Sequence, residues 1–184
     1  MIRLSDQPFD PAAELAAFSA ARAETGAIVS FTGLVRADGG EAEALELEAY
    51  PGFTDAKIAE FAADATVRFS LQDVRIVHRT GRMEVGEPVV FVAVAAAHRR
   101  AAFEGCDYLM DYLKSRAPFW KKSHGPAGAA WIEPTAQDSA DLARWEAARP
   151  APAHPRESGD PGFLGSVETP PLFDKTPGSP LSRG

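Results

Sequence analysis

The sequence predicts an α+β domain with a mixed or antiparallel sheet and two main helices, followed by a disordered C-terminal tail. Residues 54–69 and 99–116 carry apolar side chains at helical spacing, which is typical of long amphipathic helices. Apolar or alternating runs such as 44–50 and 89–94 have the pattern of strands. From Pro150 onward the chain holds eight of its 15 prolines and little apolar periodicity, so this part is expected not to fold.

In the first half of the domain, the sequence predicts a helix, two strands and a second helix. Asp10 can cap the first helix, and Pro11 is favoured in a first helical turn. Pro51 and Gly52 turn the chain before the second helix. The predicted elements are a helix over 11–22, a strand over 26–36, a loop over 37–41, a strand over 44–50 and a helix over 54–69.

In the second half of the domain, the sequence predicts two strands, the longest helix, a further strand and a short helix. The run 89–94 is nearly all apolar, so its strand is expected to be central in the sheet. Pro118 ends the long helix, because proline disfavours helical geometry in the residue before it. The predicted elements are strands over 74–79 and 88–96, joined through Gly81 and Gly86, then a helix over 99–116, a strand over 129–133 and a helix over 138–146.

Length and charge limit the classes of function. The 184 residues suffice for one domain, placed at 1–149 with the tail at 150–184. The net charge of -7 argues against nucleic acid as a partner, since phosphate binding needs a broad basic surface. The chain has no apolar run that could cross a bilayer, and its start does not resemble a secretion signal, so we expect no membrane association and a cytoplasmic location.

Cysteine and histidine usage gives no sign of a metal centre. Cys106 is the single cysteine, which excludes an internal disulfide and a cysteine-based metal cage. It falls on the apolar face of its helix and is predicted to be a core residue. His78 is predicted to be structural, and His124 to lie in a loop rich in glycine and proline.

Two lysines form the most informative pattern in the chain. Lys114 falls at the end of the long helix, and Lys121 follows the break at Pro118, on a segment that Phe119 and Trp120 are expected to fix by packing. Two ammonium groups in one pocket would favour an anionic substrate, and each would lower the pKa of the other. The alternative is that they are solvated charges that favour the helix dipole.

Other basic residues also fall at the ends of elements. Arg36 closes a strand, and His98 and Arg99 precede the long helix, where helix-start amides add to an anion site. A helix from Arg99 to Lys114 rises about 20 Å, so its two ends cannot meet in one small pocket. Either the ligand is extended and reaches both ends of the helix, or a second subunit supplies the basic residues of one end. We favour the second option, which predicts a homodimer with shared sites.

Five segments, in order, resemble a known family. The Lys-x-Arg-Ala-Pro-Phe-Trp-Lys element is highly specific, whereas Gly-Leu-Val-Arg alone is weak. Together the segments are similar to the catalytic (large) subunit of molybdopterin synthase, and the similarity runs from about residue 1 to 147. The segments are Phe31–Arg36, Leu47–Gly52, His78–Gly81, Ala97–Arg99 and Met110–Lys121.

The resemblance implies a fold, a reaction and partners. The expected fold is of the α/β hammerhead type, with a central homodimer inside a heterotetramer. The expected partner is a small ubiquitin-like sulfur carrier whose C-terminal Gly-Gly carries a thiocarboxylate. Its sulfur would be added twice to cyclic pyranopterin monophosphate, which forms the dithiolene of molybdopterin in molybdenum cofactor biosynthesis. We expect no cofactor and no metal in this subunit.

The resemblance also implies site residues. Lys114 and Lys121 match positions regarded as catalytic in the family. From the chemistry, Lys114 is predicted to be the main acid–base or transient covalent group, and Lys121 to support charge and proton transfer. The positions expected to bind substrate are Leu34, Val35, Arg36, His98, Arg99, Lys121, Lys122 and Ser123.

The chain departs from the family pattern at three places, and two other functions compete. Leu34 stands where a polar or basic residue is common, Thr135 stands where a basic residue from the neighbouring subunit is expected, and the loop after Arg36 is more acidic. One alternative is a non-catalytic docking module for a ubiquitin-like carrier. The other is an unrelated enzyme acting on a small anion, such as a phosphoryl or acyl transferase, but no glycine-rich phosphate loop or Ser-His-Asp order supports it.

Overall fold

The computed structural model describes residues 1–133 and 135–147. Within these residues the chain forms eight β-strands, four α-helices and one short 3₁₀ turn at Asp38–Gly40. In chain order the elements are β1 (Ile2–Ser5), α1 (Pro11–Ser19), β2 (Ala27–Leu34), β3 (Ala44–Ala49), α2 (Phe53–Phe69), β4 (Asp73–Arg79), β5 (Gly81–Glu84), β6 (Pro88–Ala96), α3 (Arg99–Ser115), β7 (Phe119–Gly125), β8 (Gly128–Ile132) and α4 (Ala136–Ala147).

The first sheet is mixed and has the strand order β1-β4-β6-β2. β1 runs parallel to β4, with Ile2 opposite Ile76, and the other two pairs are antiparallel. β6 is buried along most of its length, as its apolar run predicts for a central strand. The side chains of this sheet therefore alternate between two apolar layers.

The larger core lies between the first sheet and the two long helices. Ile58 lies on the apolar face of α2 and Leu109 on that of α3, and both side chains are fully buried. These faces pack against Ile76 and Val92 of the sheet. The opposite face of the sheet is covered by α1, whose Phe18 packs with Val77, Phe91, Ala93 and Ala95. The domain therefore has helices on both faces of one sheet.

The second sheet is antiparallel and has the order β5-β3-β7-β8. A small cluster of Val35, Leu47 and Met83 joins it to the end of β2. Gly125 in β7 has no room for a side chain, because a Cβ there would lie 1.9 Å from the carbonyl oxygen of Glu41. The loop before β3 therefore lies directly against β7.

The predicted α+β class, mixed and antiparallel sheets and two main helices are confirmed. Several details are corrected. Residues 119–125 form a strand, so His124 lies in β7 and not in a loop, and Gly81–Glu84 form a strand where only a connection was predicted. The strand predicted over 26–36 ends at Leu34, the helix predicted over 11–22 ends at Ser19, and β1 was not predicted.

Two further sequence predictions concern membrane association and the limits of the folded domain. No helix in the described part of the chain is both long and apolar enough to span a membrane. The boundary near residue 149 and the predicted disordered tail over 150–184 lie outside the described residues. The division into a domain and a tail therefore stays a prediction.

Candidate active site

One cleft of about 730 Å³ lies where the end of β2 meets the second sheet and the C-terminal end of α3. Its walls are mostly apolar, and a few polar side chains converge on it, which is typical of a small-molecule site. The residues that line it and bear on its chemistry are Leu34, Val35, Arg36, Asp38, His78, Lys114, Lys121, Ser123, Glu133, Thr135 and Asp138.

Lys114 and Lys121 both line this cleft, as the sequence predicts. Lys114 lies in the last turn of α3, where positive charge is favoured by the helix dipole. The chain then reverses after Ser115, and Pro118 leads into β7. Residues of a strand alternate between its two faces, so Lys121 and Ser123 point into the cleft from β7.

Buried neighbours fix the start of β7 and therefore the position of Lys121. Phe119 packs against the main core and stacks on His78, with ring centroids 4.1 Å apart. The carbonyl oxygen of Pro118 accepts a hydrogen bond of 3.2 Å from the hydroxyl of Thr54, which is fully buried at the start of α2. The predicted packing role of Phe119 is thus confirmed, while Trp120 is 54% exposed and contacts Trp131.

The environment of Lys121 favours its neutral form. Burial lowers the pKa of Lys121 below its usual value, and the positive charge of Lys114 lowers it further. The carboxylate of Asp138 opposes part of this decrease. The effect of Lys114 on Lys121 therefore has the direction that the sequence predicts, although burial is the larger cause.

Asp138 is the residue of the site that the sequence predictions missed. Its side chain is 6% exposed, and its Oδ1 accepts a hydrogen bond of 2.7 Å from Nζ of Lys114. Burial opposes ionisation, but the hydrogen bonds from Lys114 and Thr135 outweigh it and hold the pKa of Asp138 at about 2. The signal in the sequence was Thr135-x-x-Asp138, the spacing of a capping box at the start of a helix.

His78 lies at the floor of the cleft and carries no charge at neutral pH. Burial lowers its pKa to about 4, and the positive charge of Lys121 contributes in the same direction. Its Nδ1 lies 2.9 Å from the carbonyl oxygen of Arg79, which can only accept, so Nδ1 carries the proton of the neutral ring. The predicted structural role fits this packing, but the ring also borders the cleft.

Four of the residues expected to bind substrate line the cleft in addition to Lys121. Leu34 is 54% exposed and Val35 is buried, at the junction between β2 and the following loop. Arg36 has a largely exposed guanidinium, which pairs with Asp38 at 2.9 Å. Ser123 extends from β7. An anion at this cleft would thus meet one exposed arginine and two lysines, which come from the loop after β2, from α3 and from β7.

Three predicted binding residues lie elsewhere. His98 and Arg99 are at the opposite end of α3 from Lys114 and do not line the cleft, in agreement with the length argument made from the sequence. Lys122 points to the other face of β7, where its Nζ lies 5.1 Å from the ring centroid of Trp131. Their role in substrate binding within one chain is not supported by this arrangement.

The described residues offer no group of three or more His, Cys, Asp or Glu side chains that could hold a metal ion. Cys106 is buried on the core-facing side of α3, and burial raises the pKa of its thiol to about 12. A thiol held in this form is a poor nucleophile, which fits the predicted core role. The chemistry that this part of the chain presents is therefore that of lysine, arginine and carboxylate groups.

Comparisons with known proteins agree on one family. The model of the family described as "MoaE protein" matches residues 4–116. A molybdopterin synthase catalytic subunit of Caulobacter vibrioides is 65% identical over 146 residues, covering 79% of this chain and 97% of the relative. A second one, from Mesorhizobium japonicum, is 49% identical over 147 residues, covering 79% and 92%. The solved structure of a molybdopterin biosynthesis MoaE protein from Burkholderia ambifaria has a TM-score of 0.68 and 44% identity, covering 79% of this chain and 97% of that chain.

Proposed function

The chain belongs to the MoaE protein family and acts as a molybdopterin synthase catalytic subunit, and we propose that Lys114 and Lys121 carry its reaction. The reaction is sulfur transfer to cyclic pyranopterin monophosphate, which forms the dithiolene of molybdopterin in molybdenum cofactor biosynthesis. The sulfur donor is the thiocarboxylated C-terminus of a small ubiquitin-like partner. The observation that carries the proposal is the convergence of both lysines on one cleft.

The cleft suits both reactants. Its mostly apolar walls can enclose an extended Gly-Gly tail, because glycine residues occupy little width. Lys114, Lys121 and Arg36 supply positive charge for the thiocarboxylate and for the phosphate of the pterin. The sulfur arrives with the partner, so this subunit needs no cysteine nucleophile, and Cys106 takes no part.

The two lysines have different surroundings and suit different tasks. Lys121 has a lowered pKa, so it can exchange a proton with an oxygen leaving group more readily than an exposed lysine. Lys114 is paired with Asp138 and presents a fixed positive charge that can stabilise an anionic intermediate. We therefore assign proton transfer to Lys121 and charge stabilisation to Lys114, the reverse emphasis of the sequence prediction, in which Lys114 was the main acid–base or covalent group.

If His98 and Arg99 bind substrate, the site must be shared between two copies of the chain. They lie at the far end of α3 from the cleft, so they can contribute to a substrate site only if a second copy brings them to it. We propose a central homodimer that carries one small partner at each end, and a cytoplasmic location for the complex. Thr135, which stands where a basic residue from the neighbouring subunit is expected, lines the cleft of its own chain.

The test is product formation from purified components. The protein is mixed with a thiocarboxylated partner and cyclic pyranopterin monophosphate, and molybdopterin is detected after oxidation to a fluorescent pterin. Lys114→Ala is expected to abolish most product formation, whereas Lys57→Ala, which removes a partly exposed lysine of α2 that does not line the cleft, is expected to leave it unchanged. Carrier binding without product in the wild-type protein would favour a docking module and contradict the proposal.

A further inference from the structure

The start of α4 is capped by two residues that hydrogen-bond to each other and that also border the cleft. Thr135 precedes the helix, and its hydroxyl oxygen accepts from the backbone N–H of Asp138 at 3.2 Å. Oδ2 of Asp138 in turn accepts from the backbone N–H and the hydroxyl of Thr135, both at 2.8 Å. This capping box fixes the rotamer of Asp138, because Oδ2 is already held by two donors.

The other carboxylate oxygen of Asp138 faces α3. Oδ1 accepts from Nζ of Lys114 at 2.7 Å. One residue further along, the hydroxyl of Ser115 donates to the backbone oxygen of Asp138 at 3.1 Å. The Lys114 side chain is 61% exposed, so this ion pair is the contact that holds its ammonium group at the cleft.

Other polar contacts dock α4 on α3 outside the cleft. Arg144 pairs with Asp107 and Asp111, and the indole N–H of Trp145 donates to Asp111 at 2.6 Å. Arg116 pairs with Glu146 at 2.9 Å, with both side chains about half exposed. Since these contacts hold the helix in place without Asp138, its carboxylate can be removed while the two helices stay packed.

We propose that Asp138 is a positioning residue of the reaction, which holds the ammonium group of Lys114 in the cleft and links the active site to the start of α4. This inference rests on the proposed function of Lys114 and Lys121. It adds a requirement that the lysine motif does not contain: the short helix after β8 completes the site.

The charge of Asp138 also acts on Lys121. The ionisable side chains facing Lys121 across the cleft are Arg36, Asp38, His78, Lys114, Glu133 and Asp138. Among them, Asp138 favours the charged form of Lys121, against the effects of burial and of Lys114. Removing this negative charge therefore lowers the pKa of Lys121 further, and the limb of the pH–rate profile that Lys121 sets moves to lower pH.

The test compares two variants that each remove one carboxylate charge between α3 and α4. Asp138→Asn keeps a side-chain acceptor for Thr135 but removes the charge that pairs with Lys114. Glu146→Gln removes the charge that pairs with Arg116, outside the cleft. The single-turnover rate with thiocarboxylated partner and pterin substrate is measured from pH 6 to 10. We expect the Asp138→Asn protein to react about 10- to 100-fold more slowly, because small displacements of catalytic groups cost up to about 100-fold in rate. We also expect the limb of its pH–rate profile that Lys121 sets to lie at lower pH. Glu146→Gln is expected to match the wild-type protein.

Each outcome decides the inference. An Asp138→Asn protein with a wild-type rate, or with a slower rate and an unmoved pH limb, overturns the positioning role. If Asp138→Asn does not fold, Thr135→Ala replaces it, since it keeps the charge but removes the hydroxyl that donates to the carboxylate of Asp138 and accepts from its backbone N–H. A Thr135→Ala rate several-fold below wild type then supports the inference, and an equal rate overturns it. A wild-type protein that forms no product contradicts the proposed function itself, a result distinct from any of these.

Discussion

Replacing Thr54 by valine tests how the fold holds Lys121. The hydroxyl of Thr54 accepts a hydrogen bond of 3.0 Å from the backbone N–H of Tyr50 and donates one of 3.2 Å to the carbonyl oxygen of Pro118. The side chain is fully buried. Three chain segments, namely the end of β3, the start of α2 and the entry to β7, are therefore joined through one oxygen atom.

Valine has nearly the same shape as threonine and removes both bonds. Each buried hydrogen bond contributes about 1 kcal/mol net, so the free energy of unfolding should fall by about 2 kcal/mol. For a domain of this size, 1 kcal/mol corresponds to about 2–4 °C, which gives a decrease in Tm of about 4–8 °C. The rate of product formation should also fall, because Pro118 and the following strand lose a fixed contact.

Thermal unfolding followed by circular dichroism measures this change. The matched control is Thr66→Val, which removes a hydroxyl whose hydrogen bond, to the carbonyl oxygen of Ala62, stays within α2. Its effect should stay within about 0.5 kcal/mol. A decrease in Tm for Thr54→Val no larger than for Thr66→Val would refute the reasoning.

Two further predictions follow from the site and its supports. The pKa of His78 is about 4 in the folded protein and 6.5 as a free side chain, so unfolding takes up a proton between these values and stability falls as pH drops from 6.5 to 4. In His78→Gln the Tm should change less over this range, and an equal change in both proteins would contradict a buried neutral ring. Gly125→Ala should lower Tm and product formation together, because its Cβ would meet the backbone of Glu41 at 1.9 Å; an unchanged Tm would show that the loop before β3 can move away without cost.

The helices and the central sheet could be predicted because their burial is one-sided or complete. α2 and α3 bury one apolar face each, and β6 is buried on both faces, so each leaves a regular pattern in the sequence. Pro118 was also a dependable signal, since α3 ends at Ser115. The resemblance then placed both lysines in one site, which no periodicity could do.

β7 could not be predicted because only its first residue, Phe119, packs against the core. Lys121 and Ser123 face the cleft, while Trp120, Lys122 and His124 are on the opposite face, where His124 pairs with Glu46. Because polar residues of β7 occupy both faces after Phe119, the strand shows no alternation of apolar and polar residues. Asp138 was missed for a related reason: its role depends on a fold contact with Lys114, 24 positions earlier, and only its capping spacing is visible in the sequence.

The most direct test of the central claim separates partner binding from chemistry in Lys121→Ala. The affinity for the thiocarboxylated partner and the single-turnover rate of molybdopterin formation are measured in the same preparation. The account predicts a Kd close to that of the wild-type protein and a rate at least about 100-fold lower, since general acid–base catalysis contributes about 10²- to 10⁴-fold. A Lys121→Ala protein that binds the partner and forms product at the wild-type rate would contradict the account.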